Sequence, residues 1–343
     1  MILVTSLTID ASLLRKLLRL WDESGDERDP FALVLITPLF TDPSTLRLVR
    51  EELKERRGST IYFDSGGYYA QQGKITFDEL YRQLRGYYRD PANQWADWYV
   101  LPDNVPTSQD SAEAVERKVR ETITAAKIFY AEMPSEIQER AMPVIQGHTF
   151  AQVNECIAAY REMGARYIGF GSFGTSGATN SINVADQRSA ETLAHITEKL
   201  LTEDVHLHTF GISTPPAVYA FLRMGIYSFD SMAWLRSAGY GKVFLPFTRA
   251  YNVSHRSTRN SALNGMEFEE LKLRTGHRCP FCESFADLRD KRLYRSLHNL
   301  VSVTETADGE TKLSPQEIAD LIADKSERYY RMFEGLYTEN FST

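Results

Sequence analysis

Along the chain, short apolar runs ending on polar or glycine residues alternate with longer stretches whose apolar residues recur at three- and four-residue spacing. The runs are FALVLIT (Phe31–Thr37), TIYFDSGG (Thr60–Gly67), DWYVLPD (Asp97–Asp103), MPVIQG (Met142–Gly147), RYIGFGS (Arg166–Ser172), VHLHTFG (Val205–Gly211) and YSFDS (Tyr227–Ser231). KVFLP (Lys242–Pro246) is a candidate eighth. Stretches such as STLRLVREELKERR, EAVERKVRETITAAKIFYAEM, FAQVNECIAAYREMG and AETLAHITEKLL lie between them, with charges set among the apolar positions as in amphipathic helices. Strands alternating with helices imply a parallel sheet with right-handed crossovers. Seven or eight such units predict an α/β fold, a (β/α)8 TIM barrel. A doubly wound open sheet is the alternative, but no GxGxxG or GxxxxGK[ST] fingerprint supports it.

After Pro246 the rhythm stops. Thr248 to Asn264 is polar and rich in Arg, Asn and Ser, which reads as a long functional loop. MEFEELKLRTGHRCPFCESF and a basic helix, DLRDKRLYRSLHNLVSV, come next. From Ser314 a further helix is predicted, opened by Ser-Pro with Glu317 as its capping-box partner.

Composition narrows the class. With 43% apolar residues among 343, the chain can bury a sizeable core. Its longest apolar stretch, near Phe31–Phe40, is too short for a bilayer and contains Thr37 and Pro38. The start, MILVTSLTIDASLL, lacks the basic segment, full apolar core and cleavage site of a signal peptide. Three cysteines, two of them in CxxC, suit a reducing compartment. The expectation is a cytoplasmic protein with no membrane association. A net charge of −7 argues against non-specific coating of nucleic acid. Yet Arg236 to Arg295 holds twelve Lys/Arg against six Asp/Glu, which permits either a local phosphate-binding face or a merely solvated surface.

The strand ends carry the candidate chemistry: Asp64-Ser65-Gly66-Gly67-Tyr68, Asp103, Gln146-Gly147, Gly169 and Gly171, Phe210-Gly211-Ile212-Ser213-Thr214-Pro215, and Phe229-Asp230-Ser231. The active-site mouth of a (β/α)8 barrel is built from such ends. A strand-end Asp taken singly is often only a helix cap. Two carboxylates on different strands, however, are the minimum for glycosidic chemistry, one attacking the anomeric carbon and the other moving protons.

In order from about Thr60 to His298, these motifs resemble the tRNA-guanine transglycosylase superfamily. Its members carry a DSGG[FY] turn, a base-binding Asp, a VQG strand, a GxGTP-like turn, an FD nucleophile and a C-terminal zinc site. The resemblance implies that Asp230 attacks the sugar C1′ and that Asp64 is the general acid/base. It implies that Asp103 pairs with the amino and ring N–H edge of the base and that Gln146 reaches its carbonyl. Tyr68 and Phe210 would sandwich the base, and Gly171 (or Gly169), with Gly211 in the turn after Phe210, would let the backbone approach it.

His277-Arg278-Cys279-Pro280-Phe281-Cys282, followed by His298, offers two thiolates and two imidazoles for a structural Zn2+. The family's usual pattern is CxCxxC with a later HN, so His277 stands where a Cys is expected. A C-P-F-C redox pair is the rival, disfavoured by the late position and the flanking histidines. Cys156, on the apolar face of a helix, is expected in the core.

In the tRNA enzymes of bacteria a CVxPTRxAR-type segment follows the nucleophile. Here Arg236 stands at the first of those arginines and Gly239 at the second, and with the sequence ending at Thr343 no archaeal RNA-binding domain is expected. The FDS…W…G version and the His-for-Cys exchange look more like the 7-deazaguanine DNA transglycosylases (DpdA), from bacterial modification clusters and phages. DNA is therefore the expected polymer and 7-cyano-7-deazaguanine (preQ0), or a relative, the expected incoming base. The alternatives are tRNA as substrate, or a non-catalytic nucleic-acid-binding subunit. Arg236, Arg249, Arg256 and Arg259 are the expected backbone contacts. An accessory ATPase and a homodimer are partners the resemblance allows, although no patch in the sequence argues for either. The expected division is 1–250 as catalytic barrel, 251–305 as zinc-binding and nucleic-acid-contacting subdomain, and 306–343 as a C-terminal helix closing on the barrel.

Overall fold

A computed structural model describes residues 1–171, 187–200, 204–211, 214–254 and 262–324, with 331 and 334. Strands β1 (Ile2–Ser6), β2 (Leu33–Ile36), β3 (Thr60–Phe63), β4 (Trp98–Val100), β5 (Ala141–Met142), β6 (Val144–Ile145), β7 (Tyr167–Phe170), β8 (His206–Thr209) and β9 (Ser228–Ser231) form one sheet. Its order is β5-β4-β3-β2-β1-β9-β8-β7-β6, a nearly closed parallel barrel.

The two ends of that order are consecutive in the chain, separated by Pro143 alone. Proline has no N–H to give to a ladder. Met142 still accepts from the Leu101 amide on one side (2.9 Å), and Pro143 itself accepts from the Gly169 amide on the other (2.9 Å). MPVIQG is thus one barrel strand interrupted at Pro143.

The candidate eighth strand is a correction. KVFLP supplies β10 (Lys242–Val243), which pairs antiparallel with β11 (Tyr251–Asn252) in a separate two-stranded sheet. The barrel's remaining strand is β1, read in the sequence only as an N-terminus. Side chains of a later helix explain the loss of KVFLP from the sheet. Asn299 Oδ1 accepts from the Phe244 amide (2.7 Å), while His298 and Ser302 donate to its carbonyl. The backbone that a neighbouring strand would have satisfied is already occupied.

The described α-helices are α1 (Ala11–Ser24), α2 (Pro43–Leu48, continued as a π-helix over Val49–Arg57), α3 (Gly67–Gln71), α4 (Phe77–Arg89), α5 (Ala112–Glu132), α6 (Ser135–Gln138) and α7 (Phe150–Glu162). They continue as α8 (Gln187–Leu200), α9 (Pro215–Arg223), α10 (Ala233–Gly239), α11 (Gly265–Thr275), α12 (Phe285–Asp290), α13 (Arg292–Asp308) and α14 (Pro315–Ala323). Capping residues fix several starts: Thr149 with Gln152, Asn264 with Glu267 and, as the sequence predicts, Ser314 with Glu317. The expected single basic helix breaks at Lys291, whose backbone is extended, into α12 and α13. Within α13, Arg295 is buried and caps the ends of α10 and α12 by donating to Ala238, Leu288 and Arg289 carbonyls. Part of the basic excess is therefore internal wiring rather than surface.

The chain divides into two compact units. One comprises Met1–Leu3, Ala11–Pro30 and Ile212–Thr343; the other comprises Val4–Asp10 and Phe31–Gly211. In the second, Val4, Leu35, Tyr62, Val100, Met142, Val144 and Tyr167 pack as one apolar cluster, each from a barrel strand. Cys156 is buried there as well, its thiol pushed up to about 12 by burial. Among the described residues no helix is long and apolar enough to cross a membrane.

Candidate active site and metal centre

Within the Val4–Asp10/Phe31–Gly211 unit, Asp64, Gln146, Gly171 and Phe210 each directly follow a strand end, and Asp103 lies shortly beyond β4. That is the face where barrel enzymes place their chemistry. The turn after β3 is shaped by what its glycines allow. Gly66 has φ +83°, and a Cβ there would lie 2.7 Å from the Phe40 ring. A Cβ on Gly67 would lie 2.5 Å from Asp103 Oδ1. Only a side-chain-free pair can thread the chain between that ring and that carboxylate.

The turn delivers two groups. Asp64 is half-buried and its Oδ2 accepts from Thr37 Oγ1 (2.9 Å) and from the Gly66 amide (3.3 Å). Ser65 accepts from the Gly67 amide (3.1 Å) and donates to Asp103 Oδ1 (2.6 Å). Tyr68, on the first turn of α3, is half-buried, while its neighbour Tyr69 lies flat on Phe40 with ring centroids 3.9 Å apart.

Asp103 is the centre of this arrangement. Its other oxygen, Oδ2, accepts from Gln146 Nε2 at 2.6 Å. Burial pushes its carboxyl up to about 6, although the bonds from Ser65 and Gln146 pull the other way. An ionised carboxylate has about four acceptor positions and an amide nitrogen two hydrogens. Ser65 and Gln146 occupy one position on each oxygen, so the carboxylate can accept further N–H donors. Gly147 (φ +143°) ends the strand, and a Cβ there would lie 2.8 Å from Gln152 Cβ, so the chain passes tightly into α7.

The two candidate glycines of β7 have different neighbours. A Cβ at Gly169 would lie 2.4 Å from Phe210 Cε2, whereas one at Gly171 would lie 3.3 Å from Gln146 Nε2. Gly169 lets the half-buried Phe210 ring lie across β7, and Gly171 leaves room beside the Gln146 amide. Phe210 meets His208 at 4.6 Å between centroids, and Gly211 follows it with φ +74°.

In the other unit, Asp230 is buried in β9. The strand's end is pinned by Trp234 Nε1, which donates to the Ser231 carbonyl (3.1 Å), and by Ser231 Oγ, which accepts from the Ala233 amide (3.1 Å). Arg236 is exposed on α10. Arg249 is half-buried with its guanidinium 5.1 Å from the centre of the Tyr251 ring. Arg256 and Arg259 lie outside the described residues.

His277, Cys279, Cys282 and His298 are all buried, with one ligand atom of each within 4.8 Å of the others. His277 Nε2 is 3.1 Å from His298 Nδ1, Cys279 Sγ is 3.4 Å from the same nitrogen, and the two sulfurs are 3.2 Å apart. Tetrahedral zinc with bonds of about 2.0–2.3 Å needs ligand separations of about 3.3–3.8 Å, so these three pairs lie near the required range and all four atoms within 4.8 Å of one another. Each histidine's other nitrogen is held, His277 Nδ1 by Glu305 Oε2 (2.5 Å) and His298 Nε2 by the Phe244 carbonyl (2.7 Å). That is how metal-ligating imidazoles are oriented. The donor set therefore fits a structural ion, such as zinc. Glu305 was missed in the sequence because nothing in its position relative to HRCPFC marks it; α13 brings it there.

The deciding comparison is with families. The family described as queuine tRNA-ribosyltransferase matches residues 94–318, more than half of the chain. The chain belongs to that family. It is accordingly a base-exchanging glycosyltransferase of the guanine transglycosylase type, acting on nucleic acid and a 7-deazaguanine-type base. The family match takes in Asp103, Gln146, Asp230 and the Cys/His cluster and begins after Asp64 and Tyr68. Compared with curated proteins one by one, the chain matches none of them.

Proposed function

We propose that this transglycosylase exchanges a guanine in DNA for a 7-deazaguanine, such as preQ0, by double displacement. The observation that carries the base-binding half is the buried Ser65–Asp103–Gln146 set, which matches the hydrogen-bonding edge of guanine and of its 7-deaza analogues alike. The Asp230 carboxylate attacks C1′, the C1′–N9 bond breaks, and the departing guanine takes a proton from Asp64. The incoming base returns its N9 proton to Asp64 as N9 attacks C1′ and releases the aspartyl ester. Two inversions retain configuration. Tyr68 and Phe210 stack on the base, offsetting part of the few kcal/mol needed to extrude a nucleotide. The Cys/His cluster holds a structural Zn2+. Arg236, Arg249, Arg256 and Arg259 contact the phosphate backbone.

The polymer reading rests on the segment after Asp230, which has Gly239 where the tRNA enzymes have a second arginine, and on His277 in the metal site. The family's description favours tRNA, the second reading. A non-catalytic subunit is disfavoured by the presence of both Asp64 and Asp230. Two experiments separate these readings. Labelled guanine is offered with duplex DNA, single-stranded DNA and tRNA in turn; label entering tRNA alone overturns the DNA assignment. A protein–nucleic acid adduct on a denaturing gel, lost in Asp230→Ala, supports the covalent step. No exchange and no adduct with any polymer would sink the enzyme reading.

A further inference from the structure

The segment after α1 reaches the Cys/His cluster and grips it from outside. Trp21 packs on Phe281, inside the Cys-Pro-Phe-Cys stretch, at 5.5 Å between centroids, and its indole N–H donates to the Arg28 carbonyl (3.0 Å). The Arg28 guanidinium is held by Asp26 through two bonds, one of them from Nε at 2.8 Å. Two further donors reach the cluster. Nη1 donates to Glu305 Oε1 (2.8 Å) and Nη2 to the carbonyl of Arg278, between His277 and Cys279 (2.9 Å). Glu305 completes the path, because its other oxygen, Oε2, holds His277 Nδ1 at 2.5 Å.

We infer that Arg28 and Glu305 are positioning residues for the metal ion, acting in series on His277. A ligand histidine must present one ring nitrogen as a lone pair, and the partner of the other nitrogen decides the tautomer and the ring angle. Glu305 is that partner. A carboxylate on a helix can swing about its own torsions, and the planar fork of Arg28 removes that freedom by fixing one oxygen while the other faces His277. The bond from Nη2 to Arg278 ties the same guanidinium to the backbone between two ligands. His277 is the ligand most dependent on such help, because Cys279 and Cys282 are set by their own tight turn and His298 by the Phe244 carbonyl.

The test is metal release, which does not involve base exchange. The chain is loaded with zinc, challenged with a chromogenic chelator, and the release rate followed for the parent, Arg28→Met, Arg28→Lys, Glu305→Ala, Glu305→Gln and His277→Ala. The expected result is release faster by about 10- to 100-fold in Glu305→Ala and Arg28→Met. Glu305→Gln, whose carbonyl still accepts from Nδ1, and Arg28→Lys should recover part of the loss. Cobalt replacing zinc supplies a second reading. A tetrahedral absorption spectrum altered in Arg28→Met, with unchanged far-ultraviolet circular dichroism, shows that ligand geometry has moved rather than the fold. Release within twofold of the parent in Arg28→Met and Glu305→Ala, alongside rapid loss in His277→Ala, overturns the series arrangement. No metal retained by the parent overturns the metal reading on which it rests. Neither result bears on the base-exchange proposal.

Discussion

The Gln146 side-chain nitrogen donates to Asp103 Oδ2 at 2.6 Å, joining residues 43 positions apart that follow two successive barrel strands. The bond orients both groups in advance, so under the proposed base-binding role little ordering remains to be done on binding. Asp103→Asn keeps the shape but turns a carboxylate that accepts N–H bonds into a neutral amide. Hydrogen bonds to a charged group are worth about 1.5–3 kcal/mol each. The expected outcome is a rise in KM for the free base of about two orders of magnitude, measured by incorporation of labelled guanine. A KM within threefold of the parent would remove Asp103 from the base site.

The same residue predicts a pH signature in stability. Its carboxyl titrates at about 6 in the folded chain against 3.8 ordinarily, because burial disfavours the charge. The folded state therefore binds more protons than the unfolded state between these values, and stability falls as pH rises through that window. The cost is absent below about pH 4, fully present above about pH 6, and about 3 kcal/mol at most. Asp103→Asn has no such group. Its stability relative to the parent should rise by about 1 kcal/mol from pH 5 to pH 7 in urea unfolding. Taking the difference at each pH cancels metal loss common to both chains. A flat difference would mean that the carboxyl is not held neutral by its surroundings.

Gly169 and Phe210 yield a coupled prediction. A Cβ on Gly169 would meet the Phe210 ring at 2.4 Å, well inside contact distance. Gly169→Ala should therefore displace the ring and raise KM for the base by about tenfold, in keeping with stacking worth about 1–3 kcal/mol. In Phe210→Ala the obstacle is gone, so adding Gly169→Ala should change little more. A double-mutant cycle reads this directly. Additive effects would show that the glycine serves some purpose other than seating the ring.

Much of this was legible because the barrel writes its strands as apolar runs and its chemistry at their ends. Asp103 and Gln146 stand out as polar groups after DWYVLP and MPVI, and the Cys/His cluster as HRCPFC with a later histidine, read together with the family resemblance. What was illegible depends on contacts between distant segments. The role of Thr37 as a donor to Asp64 needs the β2–β3 register, and that of Glu305 needs the path of α13. KVFLP has the pattern of a strand, yet side chains of α13 take over the Phe244 backbone. The N-terminal ILVTS carries the same apolar signal as the other strands and forms β1. Arg295 shows the converse error, a charge counted toward the surface that is spent on carbonyls inside.

Asn299 is the residue whose loss should be felt most widely. It is fully buried, accepts from the Phe244 amide (2.7 Å), and donates to the carbonyls of Trp234 (3.1 Å) and Lys242 (3.0 Å). It thereby ties α13 to α10, the helix that follows the Asp230 strand, and to β10. Asn299→Leu fits the volume but removes all three bonds and strands the buried Phe244 amide, a group that costs about 1–3 kcal/mol when left unsatisfied. The expected loss is about 3–5 kcal/mol in urea unfolding of the metal-loaded chain, with little relief from added zinc, because no ligand is removed. Ser302→Ala is the contrast. The Phe244 carbonyl that Ser302 serves also accepts from His298, so its removal should cost about 1 kcal/mol. Equal losses in the two variants would show that packing along α13, and not the three bonds of Asn299, holds these segments together.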